Sequence, residues 1–162
     1  MGADPRQRIA HIELDERTII RRTQDIEHER AVAIYDLLEE NTFIPWLLDN
    51  QEAGPYDLRL AIADNRLVLE IKCVNGRGEM KVQVPLSPFR TLIKDYFVVC
   101  ESYYTAIKRS SPSQIEALDM GRRALHNDGA KLLIERLEGK IGLDQNTARR
   151  LFTLICVLHL RG

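Results

Sequence analysis

The chain has 162 residues, 44% of them hydrophobic and 29% charged, and a formal net charge of −1 at pH 7. This length can bury a core without covalent staples, and the composition excludes disorder as the general state. One domain over residues 1–162 is expected, with residues 1–7 as a flexible tail. No run reaches the ~18 consecutive apolar residues of a membrane span, and MGADPRQRIAHIELDER lacks the apolar core of a secretory signal, so a cytoplasmic protein with no membrane association is expected. Cys73, Cys100 and Cys156 each lie inside an apolar run at wide spacing. They read as buried thiols rather than disulfides or metal ligands.

The near-zero charge hides an asymmetry. Residues 1–55 carry 6 basic and 12 acidic side chains, whereas residues 56–162 carry 17 and 12. Opposite signs let the halves attract each other, or leave a basic surface for an anionic partner.

Alternation of Ala10, Ile12 and Leu14 predicts a first strand from Arg8. Thr23 then precedes DIEHERAVAIYDLLEEN, where Ile26, Ala33, Ile34, Leu37 and Leu38 form a helical stripe. Asp25, Glu27 and Glu29 suit its positive N-terminal end, and Asn41 closes it. His28 lacks the second histidine one turn on that a zinc-protease helix requires, since position 32 is Val. Residues 42–55 break the pattern with Pro45 and a polar run, and read as a variable loop with a short extended piece at its start. Its Trp46 is the sole tryptophan. Such a residue lids a core or anchors a partner, because rigid aromatics dominate interface hot spots.

Leu58, Leu60 and Ile62, then Leu67, Leu69, Ile71 and Cys73, alternate with more polar positions on either side of Asp64-Asn65. A two-residue turn there sets Ile62 opposite Leu67, Leu60 opposite Leu69 and Leu58 opposite Ile71, with Arg59 against Glu70 on the wet face. A four-residue loop over Asn75–Gly78 would set Cys73 against Met80, Ile71 against Val82 and Leu69 against Val84.

Leu86 to Ser110 is an amphipathic helix, with Ser87 as cap and Pro88 at its first position. Phe89, Leu92, Ile93, Tyr96, Cys100, Tyr103, Tyr104 and Ile107 gather on its apolar face. Ser111-Pro112-Ser113-Gln114 opens the next helix as a capping box. Arg122 and Arg136 fall within its apolar stripe, and Gly121 and Gly129 leave a break near His126-Asn127-Asp128-Gly129 open. Gly139 and Gly142 mark a turn. Asp144 caps a last helix whose Leu151, Phe152, Leu154, Ile155, Cys156, Val157, Leu158 and Leu160 place it in the centre of the core. The order implies an α+β fold: a small antiparallel sheet, a three-strand meander plus the N-terminal strand, with mostly C-terminal helices on one face.

The best constellation for chemistry is Asp119, Arg122, Arg123, His126 and Asn127. Asp119 and Arg123 are one helical turn apart, as are Arg122 and His126, so a carboxylate, a guanidinium and an imidazole share a flank. A guanidinium fork binds phosphate or carboxylate, and an imidazole beside it donates to the same oxygens or moves a proton. The competing reading ties Arg122 to an acidic group elsewhere in the fold and makes His126 the cap of a helix break. Lys94 and Tyr96 point to opposite sides of their helix, which argues against a proton-transfer pair. Arg149-Arg150 is a further basic cluster, and arginine outnumbers lysine 17 to 6. The phosphate-loop pattern is missing, since Gly76 and Gly78 serve a hairpin, and no metal or cofactor motif is present.

The strings LSPFRTLIKDYFVVCESYYTAI, ALDMGRRALHNDG, LEGKIGLDQNTARRLFTLICVLHLRG and HERAVAIYDLLEEN closely resemble the uncharacterised protein family numbered two hundred and sixty-two, of alphaproteobacteria. The match covers nearly all the length from about Ile12. The resemblance implies a bacterial cytosolic single-domain protein and brings no activity, cofactor or site residue.

Three functions are carried forward. The first is a non-enzymatic, self-associating binding or regulatory module that uses the basic helical surface, with Trp46, Arg149 and Arg150 as partner contacts. The second is a small phosphate or carboxylate binder, or an enzyme, centred on Arg122 and His126. The third is RNA or ribosome association through Arg122, Arg123, Arg149 and Arg150, without a nucleic-acid-binding motif.

Overall fold

The computed structural model describes residues 6–16, 23–46, 48, 54–76 and 78–159. Most of the expected tail, the middle of the expected variable loop and Leu160 lie outside these. The fold is α+β, with strands β1 (Ile9–Leu14), β2 (Phe43–Pro45), β3 (Tyr56–Ala63), β4 (Arg66–Cys73), β5 (Glu79–Pro85) and β6 (Ile141–Leu143). The helices are α1 (Gln24–Glu39), α2 (Arg90–Arg109), α3 (Pro112–Arg136) and α4 (Gln145–His159).

The main sheet runs in the order β1-β3-β4-β5. Alternating side chains and the Asp64-Asn65 turn, both residues at positive φ, lock β3 to β4 in the expected register, Leu58 with Ile71, Leu60 with Leu69 and Ile62 with Leu67. Arg59 pairs with Glu70 across the other face. That face is not wholly wet, because Ala61 and Val68 pair on it and both are buried.

Two expectations about the sheet are corrected. Each β4 residue meets a β5 residue two positions earlier than expected, with Ile71 opposite Met80, Leu69 opposite Val82 and Leu67 opposite Val84. The cause is a turn that closes one residue earlier: Gly76, at φ +76°, donates to the Cys73 carbonyl, and Cys73 donates to the Gly78 carbonyl, so Cys73 faces Gly78 rather than Met80. A slip of two keeps the same side chains on the apolar face, so the period-2 pattern could not detect it. Second, β1 adds to the edge of β3 in parallel, so the sheet is mixed. A parallel neighbour needs a crossover, and the chain returns through α1 and β2 before β3 begins.

β2 pairs with β6 in a separate antiparallel ribbon, which gives the extended start of the 42–55 segment a partner and makes Gly142 a strand residue rather than a turn residue. Trp46 follows β2. Its ring lies over Gly142, where an added Cβ would come within 2.9 Å of it, and it remains 57% exposed. Trp46 is therefore not a lid on the core.

Thr23 caps α1 by accepting from the Ile26 amide, as expected. Asn41 does more than end that helix. It donates to the Leu37 carbonyl and exchanges two hydrogen bonds with the backbone of Ile9, fastening α1 to β1. Ser87 makes no side-chain cap. Ser87–Phe89 forms a 3-10 turn around Pro88, and α2 begins after it. Leu86 and Arg90 tie this turn to Asn65 in the hairpin. Ile107 is exposed, and Ala106 takes the buried place.

α3 opens with the complete Ser111–Gln114 capping box and runs unbroken to Arg136. No break occurs at 126–129 because Gly129 is a contact, not a hinge: a Cβ there would lie 2.4 Å from the Phe152 ring. Arg136 is exposed. Asp144 caps α4 through the Thr147 amide, and Leu151 through Leu158 are all buried. α4 packs against α1, α2, α3 and the sheet, so it needs an apolar surface on nearly every side.

Candidate anion-binding cleft

The site is built from a charge on an apolar stripe. Ile26, Glu29, Ala33 and Leu37 are the buried residues of α1, so Glu29 faces the helical core at 7% exposure. On the apolar face of α2, Tyr96, Cys100 and Tyr104 follow one another at one-turn intervals. The Tyr104 hydroxyl donates to Glu29 Oε2 at 2.7 Å, and the Tyr96 hydroxyl donates to Oε1 at 3.0 Å. The Cys100 thiol points at the same oxygen from 3.7 Å. From α3, Arg122 reaches both oxygens at 3.2 and 3.3 Å, and its other amino group meets Asp119 at 2.9 Å. The Arg122 guanidinium also lies 4.7 Å above the Tyr103 ring.

Burial pushes the Glu29 carboxyl up, but the Tyr104 hydrogen bond, the Arg122 charge and the Tyr96 hydrogen bond outweigh it, and the group sits below the usual carboxylate value. Burial and the neighbouring Glu29 charge push the Cys100 thiol up to about 12. Both tyrosines are raised by burial and by Glu29, so these side chains keep their protons. Glu29, missed as a site residue from sequence, is the hub of the helical layer. Its signal was present: it lies three residues after Ile26 and four before Ala33, on the stripe rather than beside it.

Beside this hub opens a cleft of about 230 Å³. α1 contributes Val32, Ala33 and Asp36 to its walls, α3 contributes Arg122, Arg123 and His126, and α4 contributes Asn146, Arg149, Arg150 and Thr153. Three of the five sequence-predicted ligand residues, Arg122, Arg123 and His126, therefore meet here with the Arg149-Arg150 cluster. Asp119 stands behind them, holding Arg122 and, at 3.0 Å, Arg123. Asn127 does not join: its backbone carbonyl accepts from Gln145 and its side chain lies outside the cleft. Trp46 is not among the lining residues.

The arginines differ in commitment. Arg122 is held by two carboxylates, as the structural alternative foresaw, and its guanidinium is stabilised further in the charged form by Asp119 and Glu29. Arg150 lies 4.0 Å from Asp36 and donates to the Asn146 carbonyl. Arg149 has no ion pair among the described residues, and its buried Nε has no hydrogen-bond partner there. Burial together with Arg150, Arg123 and Arg122 lowers the Arg149 pKa. A cation whose nearest charges are other cations is a place where an anion would be electrostatically favoured.

His126 stacks on Tyr96 with ring centroids 5.5 Å apart, and its Nε2 lies 3.4 Å from Thr153 Oγ1. The Thr153 hydroxyl donates to the Arg149 carbonyl, so its oxygen is left to accept from Nε2–H. Burial pushes His126 down to about 4. Glu29 opposes this, and Arg122 and Arg149 add to it, so the ring is neutral at pH 7. It does not cap a helix break. No group of three or more His, Cys, Asp or Glu side chains suited to holding a metal occurs among the described residues. No described helix is long and apolar enough to cross a membrane.

Comparison with known proteins gives close relatives. A UPF0262 protein of Paramagnetospirillum magneticum, amb3341, is 55% identical over 97% of this chain and 98% of its own. UPF0262 proteins of a Chelativorans species and of Mesorhizobium japonicum are 56% and 54% identical over 95% and 99% of this chain. No solved structure gives a significant match. The profile of the uncharacterised protein family UPF0262 matches residues 6–161, and the chain belongs to that family.

Proposed function

We propose that the protein is a cytosolic binding module for a small anionic ligand, held in the cleft between α1, α3 and α4. The observation that carries this reading is Arg149, a half-buried guanidinium facing three other arginines, with its buried Nε unpartnered among the described residues. Arg149, Arg150 and Arg123 make the contacts. Arg122 is the fixed wall behind them, so the centre moves from Arg122 to Arg149. The cleft lies below the usual 300–1,000 Å³ of a metabolite pocket, which suits a compact head group.

The test is thermal unfolding of wild type and Arg149→Met with inorganic phosphate, citrate and a short RNA. At 100 times its dissociation constant a ligand adds about 2.7 kcal/mol, or roughly 5–10 °C for a chain of this size. An anion should raise the wild-type midpoint and leave that of Arg149→Met in place, while the mutant alone is no less stable than wild type. Equal shifts in both proteins would mean only general stabilisation by exclusion of the salt from the protein surface and would remove the site. A shift with RNA alone would move the reading to nucleic acid.

A second reading, a protein partner or a second copy at Trp46, is favoured by the exposure of that ring over the β2–β6 ribbon. Sedimentation of wild type and Trp46→Ala tests it. Indistinguishable monomers at all concentrations would remove self-association.

A further inference from the structure

We propose, resting on the anion-binding reading above, that the cleft is selective for a tetrahedral dianion of the phosphate or sulfate type, and that His126 takes up a proton as the dianion enters. The first part follows from donor geometry. A carboxylate satisfies one guanidinium fork through two parallel N–H bonds, whereas this cleft presents Arg123 from α3 and Arg149 and Arg150 from α4. Donors arriving from two helices match an anion with oxygens on every side. Among the described residues, Val32 and Ala33 are the only aliphatic ones lining the cleft, and its small volume of about 230 Å³ leaves little room for the body of a larger acid.

The second part follows from counting charge. Arg122, Arg123, Arg149 and Arg150 bring four positive charges, and Glu29, Asp36 and Asp119 bring three negative ones. With a neutral imidazole the cleft is therefore +1, enough for a monoanion and one short for a dianion. From α2, Tyr96, Tyr103, Tyr104 and Cys100 face this region, and phenols and thiols are neutral or negative, so they supply no positive charge. His126 is the lining group that can change charge near neutral pH. Its Nε2 carries the proton directed at Thr153, so the incoming proton adds at Nδ1. The barrier in the empty cleft is burial plus the Arg122 and Arg149 charges. An anion screens those two arginines and adds its own field, and both effects favour imidazolium. Proton and dianion thus bind with reciprocal positive coupling.

Sulfate is the probe, because it remains a dianion through the pH range and any proton taken up belongs to the protein. Calorimetric titration of the full chain with sodium sulfate, in two buffers of different ionisation enthalpy, should give uptake approaching one proton per sulfate at pH 6.5. Affinity should strengthen by up to about tenfold per pH unit as the pH falls from 7.5 to 5.5. Acetate and nitrate should bind more weakly and without uptake. His126→Asn should still bind sulfate, with no uptake and a flat pH profile. Should that variant fold poorly, the wild-type His126 ring resonances carry the same test: sulfate should raise their titration midpoint from about 4 to roughly 7 or above, as uptake at pH 6.5 requires. Inorganic phosphate and a small phosphomonoester then separate a free ion from an ester head group as the source. Sulfate binding without proton uptake, or uptake that survives in His126→Asn, overturns the inference and leaves the anion site standing. Failure of every anion to bind overturns both.

Discussion

Replacing Glu29 with alanine removes the hub of the helical layer and leaves its partners in place. The carboxylate is 7% exposed, and it accepts from two tyrosine hydroxyls and from Arg122. Taking one partner from a buried ion pair costs about 3–5 kcal/mol. Arg122 keeps Asp119 and is 21% exposed, which favours the lower end, while the orphaned Tyr96 hydroxyl in the core adds to the loss. A loss of about 3 kcal/mol is expected, lowering the thermal midpoint by roughly 6–12 °C for this chain length. Urea unfolding followed by far-UV circular dichroism measures it directly. Glu29→Ala, Arg122→Ala and the double mutant complete a cycle whose coupling term should exceed 1 kcal/mol. A loss below about 1 kcal/mol, or additive single mutants, would refute the assignment of Glu29 as the structural counter-charge.

Three further outcomes are expected. His126 has a lowered pKa in the fold, so between about 4 and its unfolded value near 6.5 the unfolded chain binds the extra proton. Stability should therefore fall by about 2–3 kcal/mol as pH drops through that window, and denaturant titrations of His126→Asn should show the slope flattened. Gly129→Ala forces a methyl group against the Phe152 ring and should cost about 1–3 kcal/mol, whereas Gly121→Ala, which meets open space, should add about 0.5–1 kcal/mol. Paired thermal melts would contradict the packing account if the two signs agreed. Asn41→Ala removes three hydrogen bonds linking α1 to β1 and should cost about 1–3 kcal/mol, with amide exchange at Ile9 accelerated most; uniform acceleration would refute a local clamp.

The sequence by itself determined the elements and much of their pairing. Side-chain alternation and a two-residue turn left one register for β3 and β4, because a slip of one residue would turn Leu58, Leu60 and Ile62 towards water. The capping box of α3 and the all-round apolar surface of α4 are local patterns in the same way. Tertiary structure decided what local pattern leaves degenerate: the two-residue shift of β5, the parallel docking of β1, and the role of Gly129, which reads as a helix breaker until Phe152 packs on it. It also decided the site. Asp119, Arg122, Arg123 and His126 share a flank by helical spacing alone, but Arg149, which has no ion pair among the described residues, comes from a helix more than twenty residues away, and the hub, Glu29, from the opposite end of the chain. Which arginine is occupied and which is available depends on how far each charge is buried and on which carboxylate lies opposite, and three-dimensional packing alone sets both.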